Sequence, residues 1–494
     1  MLVLDPFDSS STSTESLRVN SSFRDDAGYV VKENGVIYRV ITDKGRDDFE
    51  AFMSSGLYDV LASRGLLVSH EEIVGAPLHG KGAASSARTG DPVGAPLGAP
   101  SPHKILKPVQ IPFISYPYEW SFSQFKDAAL LTLDVHREAL KKNMSLKDAS
   151  FFNVQFIGSK PIFIDTLSFE KREDKPWVAY RQFCQHFLAP LALMSQVDLG
   201  LNRHLQAHID GFPLPLVSKL LPFKSKMRAG LMMHLVMHAK SQQKFENKKE
   251  IKQATSQKMN LAFNLTRQLA LIDSLESTVR GLKIPSVKTE WIDYADSNNN
   301  YELESKNFKK EFIEKVLDAG VVKTLWDLGG NTGFFSRLGS NRKIYSVCFD
   351  GDQLCVDANY QQAKKEGDAF MLPLVTDLAN PTPAIGWNNT ERMSLTQRGR
   401  ADLVMALALI HHLRITANVP LAKIAEFLAA CGRKLIIEFV PKTDSMVARL
   451  LTHREDVFHD YTVQHFEQVF GAVWSKMHKE KIPGSERTLY FFES

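Results

Sequence analysis

From residue 324 onward, short apolar runs alternate with segments of helical periodicity, and this alternation restricts the fold of the 494-residue chain more than any other feature. Five strand-like runs, 324–327, 343–349, 370–375, 402–407 and 434–439, are each followed by a stretch long enough for a helix. Two more, 473–477 and 488–492, come last. Parallel neighbours require such crossovers, so five βα units and a terminal hairpin predict an α/β domain: a mainly parallel, doubly wound sheet with one antiparallel edge strand. Sheets of this kind bind ligands beyond the carboxyl ends of their strands, and the chemistry is to be sought there.

The first run, Thr324-Leu325-Trp326, leads into Asp327-Leu328-Gly329-Gly330-Asn331-Thr332-Gly333. Gly329, Gly330 and Gly333 let backbone pass close to a ligand, and the helix that follows offers free N–H donors. The spacing is Asp-x-Gly-x-x-x-Gly, not the GxGxxG of a dinucleotide site. An acid just before the turn suits a cationic cofactor such as S-adenosyl-L-methionine, whose amine needs an acceptor. Asp350 ends the second strand, where a carboxylate can accept both ribose hydroxyls, and Asp352 is a second candidate. Asp377, followed by Leu378, leaves the third strand within reach of an adenine amino group. Each acid alone reads equally well as a helix N-cap; the ordered set points to a ligand.

With these residues in hand, the C-terminal part resembles the class I S-adenosylmethionine-dependent methyltransferases, and more narrowly a nodulation-protein-like bacterial subgroup. The resemblance runs from Trp291 to Leu489 and includes Asn380-Pro381-Thr382-Pro383-Ala384-Ile385-Gly386-Trp387, Glu391-Arg392, Ala406-Leu407-Ala408-Leu409-Ile410-His411-His412-Leu413, Ile437-Glu438-Phe439-Val440-Pro441-Lys442 and Ser485-Glu486-Arg487-Thr488-Leu489. It implies a Rossmann-like seven-stranded domain over 286–494 that holds the cofactor. Asn331 departs from the pattern, since many methyltransferases carry a second glycine there; Asn still tolerates the left-handed conformation.

After the fourth strand, His411 and His412 occupy the place where this fold meets its acceptor, and a histidine there can serve as a general base. The plainer reading has one capping a helix and the other packing. Glu438, leaving the fifth strand, either orients an acceptor or pairs with Lys442 or Arg487. Trp387, Glu391 and Arg392 lie in a long insert of the kind that builds acceptor pockets, or else form a surface loop anchored by the Trp. Methyl transfer is an in-line displacement for which alignment and exclusion of water suffice. No metal is expected in this domain.

The N-terminal part reads as an α+β and helical module over 21–285, preceded by a polar, Ser/Thr-rich segment, 1–20, expected to be disordered. Runs 28–31 and 36–41 flank Asn34-Gly35, a hairpin signal; a helix follows over 46–63 and a strand over 66–69. Residues 75–102, rich in Gly, Ala, Pro and Ser, form a flexible insertion. Strands at 111–115, 151–157 and 161–165 and a helix at 122–142 come next, then mostly helix over 177–281. Asp148 and Asn153, five apart, and Asp165 after a strand resemble the layout of kinase-like and aminoglycoside-phosphotransferase-like folds, in which Asn153 and Asp165 would hold metal if the fold were active. Departures are clear: no glycine-rich loop precedes them, Arg39 stands where the strand lysine belongs, and Thr166-Leu167 follows Asp165. Asp148 and Asn153 read more readily as turn and cap residues, and a non-catalytic scaffold suits the module better than an active kinase.

Lys219, Lys224, Lys226, Arg228, Lys240, Lys244, Lys248, Lys249 and Lys252 form a basic stretch around apolar 229–237 that would suit an anionic partner, a membrane surface or RNA, or simply a solvated helical face. The net charge of +4 gives no whole-chain case for nucleic acid. No apolar run approaches the roughly 18 residues of a membrane span. With no basic segment and apolar core at the start, a cytoplasmic location is expected. Cys184, Cys348, Cys355 and Cys431 lack a CxxC pair and read as reduced thiols. The sequence thus predicts a methyltransferase whose acceptor is a small molecule or a glycan or glycolipid intermediate. Its rivals are a non-catalytic regulatory or binding protein that retains the fold, and a phosphotransferase built on the N-terminal module.

Overall fold

The computed structural model describes residues 17–74, 102–240, 264–285, 300–452 and 455–493. Most of the expected disordered segment 1–20 and of the insertion 75–102 lies outside the described residues, as do Lys244, Lys248, Lys249, Lys252 and Trp291.

The N-terminal half opens with an antiparallel sheet of β1 (Leu17–Arg18), β2 (Gly28–Glu33), β3 (Val36–Thr42), β4 (His70–Glu72) and β5 (Pro102–Pro108), in the order β1-β2-β3-β5-β4. Asn34 and Gly35, at φ 50° and 79°, make the two-residue turn between β2 and β3. Three expectations change here. The helix over 46–63 is two helices, Arg46–Ser54 and Leu57–Ser63, because Gly56 between them takes φ 70°. The strand over 66–69 is reduced to one bridge, Leu67 with Phe163, and pairing resumes only at β4. The run 111–115 is buried but forms no strand: the Ser115 N–H donates to Gln155 Oε1 (3.0 Å) and the Ser115 carbonyl accepts from Gln155 Nε2 (3.0 Å). A side-chain amide does the work of a neighbouring strand.

The helix Phe122–Lys141, started by a capping box of Ser121 and Gln124, packs against the helix Leu265–Gly281. Two short antiparallel pairs follow: β6 (Met144–Leu146) with β9 (Phe169–Lys171), and, between them in the chain, the hairpin of β7 (Val154–Ile157) with β8 (Lys160–Phe163).

The C-terminal half is a seven-stranded sheet of β10 (Thr324–Leu328), β11 (Tyr345–Asp350), β12 (Met371–Val375), β13 (Ala401–Ala406), β14 (Gly432–Phe439), β15 (Lys476–Lys481) and β16 (Thr488–Glu493). Its order is β12-β11-β10-β13-β14-β16-β15, with β10 to β14 parallel. The antiparallel strand is not the edge: β16 inserts between β14 and β15, and β15 takes the outside. The strand expected over 473–477 also lies further on. Trp474 stays with the preceding helix, its ring against Phe470 and Phe492, while β15 has the charged sequence Lys-Met-His-Lys-Glu-Lys that protects an exposed edge.

The two halves share one continuous core. Phe113 packs edge-on against Trp326 and Phe349. Gln124 Nε2 donates to the Pro373 carbonyl (2.9 Å), covering the free edge of β12. Arg398 and Glu119, each side chain 1% exposed, form a buried ion pair at 2.6 Å.

Candidate functional site

The turn after β10 is folded back on the second strand. The N–H groups of Gly329 and Gly330 both donate to the Phe349 carbonyl, at 2.8 and 3.0 Å. A Cβ on Gly330 would lie 2.5 Å from Cys348 Sγ and 2.7 Å from Asp327 Oδ2, so backbone rests directly on the acid. Gly333 is similarly closed in by the Asn359 side chain, and Asn331 takes φ 52° as its residue type allows.

This geometry brings Asp327 and Asp350 together. Asp327 is 2% exposed and accepts one hydrogen bond, from Ser336 Oγ at 2.6 Å. No cation pairs with it among the described residues. Burial pushes its carboxyl up to about 7; the Ser336 hydroxyl opposes that rise and the neighbouring Asp350 adds to it. Asp350 accepts the N–H of Asn331 on one oxygen and that of Asp352 on the other, each at 2.8 Å. Burial raises its carboxyl as well, against those backbone donors. Each oxygen retains a lone pair for a ligand.

Asp352 is differently employed. It caps the helix Gln353–Glu366, its Oδ1 accepting from the N–H groups of Leu354 (2.8 Å) and Cys355 (3.3 Å). Asp377 lies at the next strand tip with its side chain about half exposed. It accepts the Ala379 N–H (3.0 Å) and lies 4.0 Å from Arg203. Leu378 is partly buried against the core. Arg203, which no local sequence signal singles out, also donates to the Gly351 carbonyl at 3.1 Å, and its neighbour Asn202 accepts from Gln353 Nε2 at 2.7 Å. The segment Leu199–Gln206 therefore forms a wall from the N-terminal half beside the tips of β11 and β12.

At the other end of the crevice, Ala408, at φ 49°, turns the chain after β13 and sets Leu409 against Gly329. His411 follows, 2% exposed, its Nδ1 without a hydrogen-bond partner among the described residues. Burial lowers its pKa to about 3, with smaller contributions from His412 and Arg487, so it is neutral at physiological pH. The His412 ring lies 4.2 Å from it, and burial lowers that pKa too. Glu438 is fully buried and engaged: Lys309 holds both its oxygens at 2.8 and 2.7 Å, and Arg487 reaches Oε1 at 3.3 Å. Of its two expected partners only Arg487 is used, since Lys442 pairs with Asp456.

The insert between β12 and β13 faces the N-terminal half. Trp387 is 71% exposed and anchors nothing among the described residues. Glu391 is buried and paired with Arg24 at 2.7 Å, while Arg392 lies 3.7 Å over the Phe152 ring. Both tie the halves together through residues that are hundreds of positions apart in sequence.

The kinase-like trio also assembles. Asn153 Nδ2 donates to the Asp148 carbonyl (3.3 Å) and to Ser168 Oγ (3.1 Å), whose hydroxyl donates to Asp165 (2.6 Å). Arg39 neutralises Asp165 at 3.0 Å. Asp148 is raised by burial and then by the charge of Asp165.

The strand order, with its antiparallel β16 between β14 and β15, and the acid-led glycine turn after β10 define an α/β fold of the class I methyltransferase type. No family model matches the chain. The nodulation protein NoeA of Rhizobium meliloti (strain 1021) is 34% identical over 485 residues, spanning 96% of each chain, and the chain belongs to that family. The similarity therefore extends through the N-terminal half, well beyond residues 291–489. Among solved structures, the bifunctional kinase-methyltransferase WbdD overlaps 42% of this chain and 43% of its own at 13% identity, TM-score 0.29. The N-methyltransferase NodS of Bradyrhizobium japonicum WM9 overlaps 40% and 97% at 13% identity, TM-score 0.29. Each match spans less than half of this chain.

Proposed function

We propose that the chain is an S-adenosyl-L-methionine-dependent methyltransferase acting on a small-molecule or glycan-type acceptor, with residues 286–494 as the catalytic domain and 21–285 as an attached α+β and helical module. Asp327 carries this reading. A fully buried carboxylate with one hydroxyl partner and no cation is costly, and a ligand bearing positive charge would relieve that cost. The cofactor, when bound, supplies an electrophilic methyl group on a sulfonium.

The chain's own residues have separable tasks. Asp327 accepts from the amine, Gly329 and Asn331 present backbone to the ligand, Gly330 and Gly333 let the turn pack on Asp327 and Asn359, and Asp350 accepts from the ribose. Asp377 and Leu378 border the adenine, with Arg203 beside them. Asp352 acts indirectly, by capping the helix Gln353–Glu366, whose Gln353 holds Asn202 of the wall. His411, neutral and buried, orients an acceptor by hydrogen bonding and is too weakly basic to drive deprotonation. Glu438 holds Lys309 and Arg487 in place. Titration calorimetry of the full chain with S-adenosylmethionine tests the first step. Mass spectrometry of small-molecule and glycan pools after incubation with labelled cofactor tests the second. Absence of binding sinks the proposal, and binding without transfer to any pool leaves a regulatory protein that retains the fold.

The assembled Asp148, Asn153 and Asp165 favour a second reading, a phosphotransferase. The segment Ser115-Tyr116-Pro117-Tyr118, which stands where a kinase-like fold would have its hinge, weighs against it. Ser115 is bonded on both sides by Gln155, the Ile114 carbonyl accepts from Arg398, the Tyr116 N–H donates to Glu119, and Pro117 has no N–H. Little backbone there is left for a nucleotide base. Mg²⁺-dependent ATP binding that disappears in Asp165→Asn would establish this reading.

A further inference from the structure

The segment from Gly211 to Lys240 contains Lys219, Lys224, Lys226, Arg228 and Lys240 and not one carboxylate. Four of these cations cluster where the short helices Leu214–Leu220 and Phe223–Lys226 meet, and none of them enters a salt bridge among the described residues. Elsewhere in this chain exposed lysines and arginines are commonly paired, as in Lys423 with Glu426 and Lys364 with Asp127.

Interleaved with those charges are large apolar side chains that point into water. Phe223 is 77% exposed, Met227 60% and Leu220 45%. Single exposed apolar residues are ordinary, but three within eight positions of one helical tip, each flanked by an unpaired cation, are not. Arg228 further lines, with Lys283, Ser195 and Gln196, a cavity of about 610 Å³ beside the tip. The Ser195 hydroxyl donates to the Lys283 carbonyl and accepts from the Gln196 amide, so it is the two cations that suit a phosphate there.

We infer that this tip docks the protein on an anionic lipid bilayer, with Phe223, Met227 and Leu220 entering the interfacial region, the lysines facing acidic headgroups and the Arg228–Lys283 cavity receiving a lipid phosphate. Apolar insertion and diffuse charge attraction add at a bilayer without the shape complementarity that a folded partner demands. A single-stranded nucleic acid site would instead interleave its cations with several aromatic faces for stacking, and here Phe223 stands alone among Leu and Met. No described helix is long and apolar enough to cross a membrane, so the attachment is peripheral.

Vesicle flotation of the full chain tests this. Binding is expected to mixed phosphatidylglycerol–phosphatidylcholine vesicles, with release at about 0.5 M salt as the charges are screened, and not to pure phosphatidylcholine. Lys224→Glu with Lys226→Glu is expected to lower the bound fraction at least about tenfold, and Phe223→Ser several-fold, both with unchanged melting temperature and unchanged S-adenosylmethionine affinity. Equal binding to neutral vesicles, or no vesicle binding at all, overturns the inference. So does a variant that keeps its vesicle binding but loses self-association or capture of RNA.

Discussion

Asp327 is buried and Asp350, half-buried, lies beside it at the tip of the next strand, and their protonation follows from that. The folded-state value of Asp327, about 7, lies above the 3.8 of an ordinary aspartate, so between the two the native chain holds a proton that the unfolded chain has released. Its contribution to stability is complete below the lower value and is lost as pH rises through the higher. The unliganded protein is therefore expected to lose melting temperature between about pH 4 and 7, with a smaller slope in Asp327→Asn; differential scanning fluorimetry across that range decides the point. On the proposed reading a cationic cofactor prefers ionised Asp327, so its binding should release protons near pH 6.5 and strengthen toward pH 8. Calorimetry in buffers of different ionisation enthalpy measures that release. Asp327→Asn should weaken binding about 10- to 100-fold. Asp350→Ala should weaken it as well, and would additionally strip acceptors from the N–H groups of Asn331 and Asp352.

Among the elements, the segment Leu199–Gln206 makes the crevice a joint product of both halves. Arg203 bridges the Gly351 carbonyl and Asp377, and Asn202 is held by the Tyr118 and Trp120 carbonyls on one side and Gln353 on the other. Because Arg203 is partly exposed, its pair is worth at most about 1 kcal/mol. Arg203→Ala is accordingly expected to raise the cofactor dissociation constant up to about fivefold while leaving the melting temperature within a degree or two. An unchanged constant would mean that this wall does not border the ligand.

At the scale of the molecule, the Arg398–Glu119 pair lies in the seam between the halves, with Phe113 and Tyr116 rings 5.0 and 5.1 Å from the guanidinium. Arg398→Met leaves Glu119 buried without its partner, a change that costs about 3–5 kcal/mol. Since the halves share one core, urea unfolding followed by tryptophan fluorescence should shift as a single transition. Two transitions, only one of them displaced, would show that the halves unfold separately.

How much of this was legible beforehand depends on how local the signal was. Strand and crossover spacing after residue 324, the Asn34-Gly35 hairpin and the acid-led turn at Asp327 are written in short-range chemistry: alternating apolar runs, turn residues, and glycines where backbone must approach a side chain. The insertion of β16 inside β15 left no such trace, because both strands of a hairpin satisfy the same local pattern whichever one lies outside. Nor could spacing reveal that residues 111–115 would trade strand partners for Gln155, that Glu391 would find Arg24, or that Arg203 would reach the tips of β11 and β12. The sequence by itself determined which residues turn, alternate and carry charge. Only the tertiary structure decided which of those charges meet and which acid is left buried without a cation, because desolvation and pairing depend on distances that the folded chain alone creates.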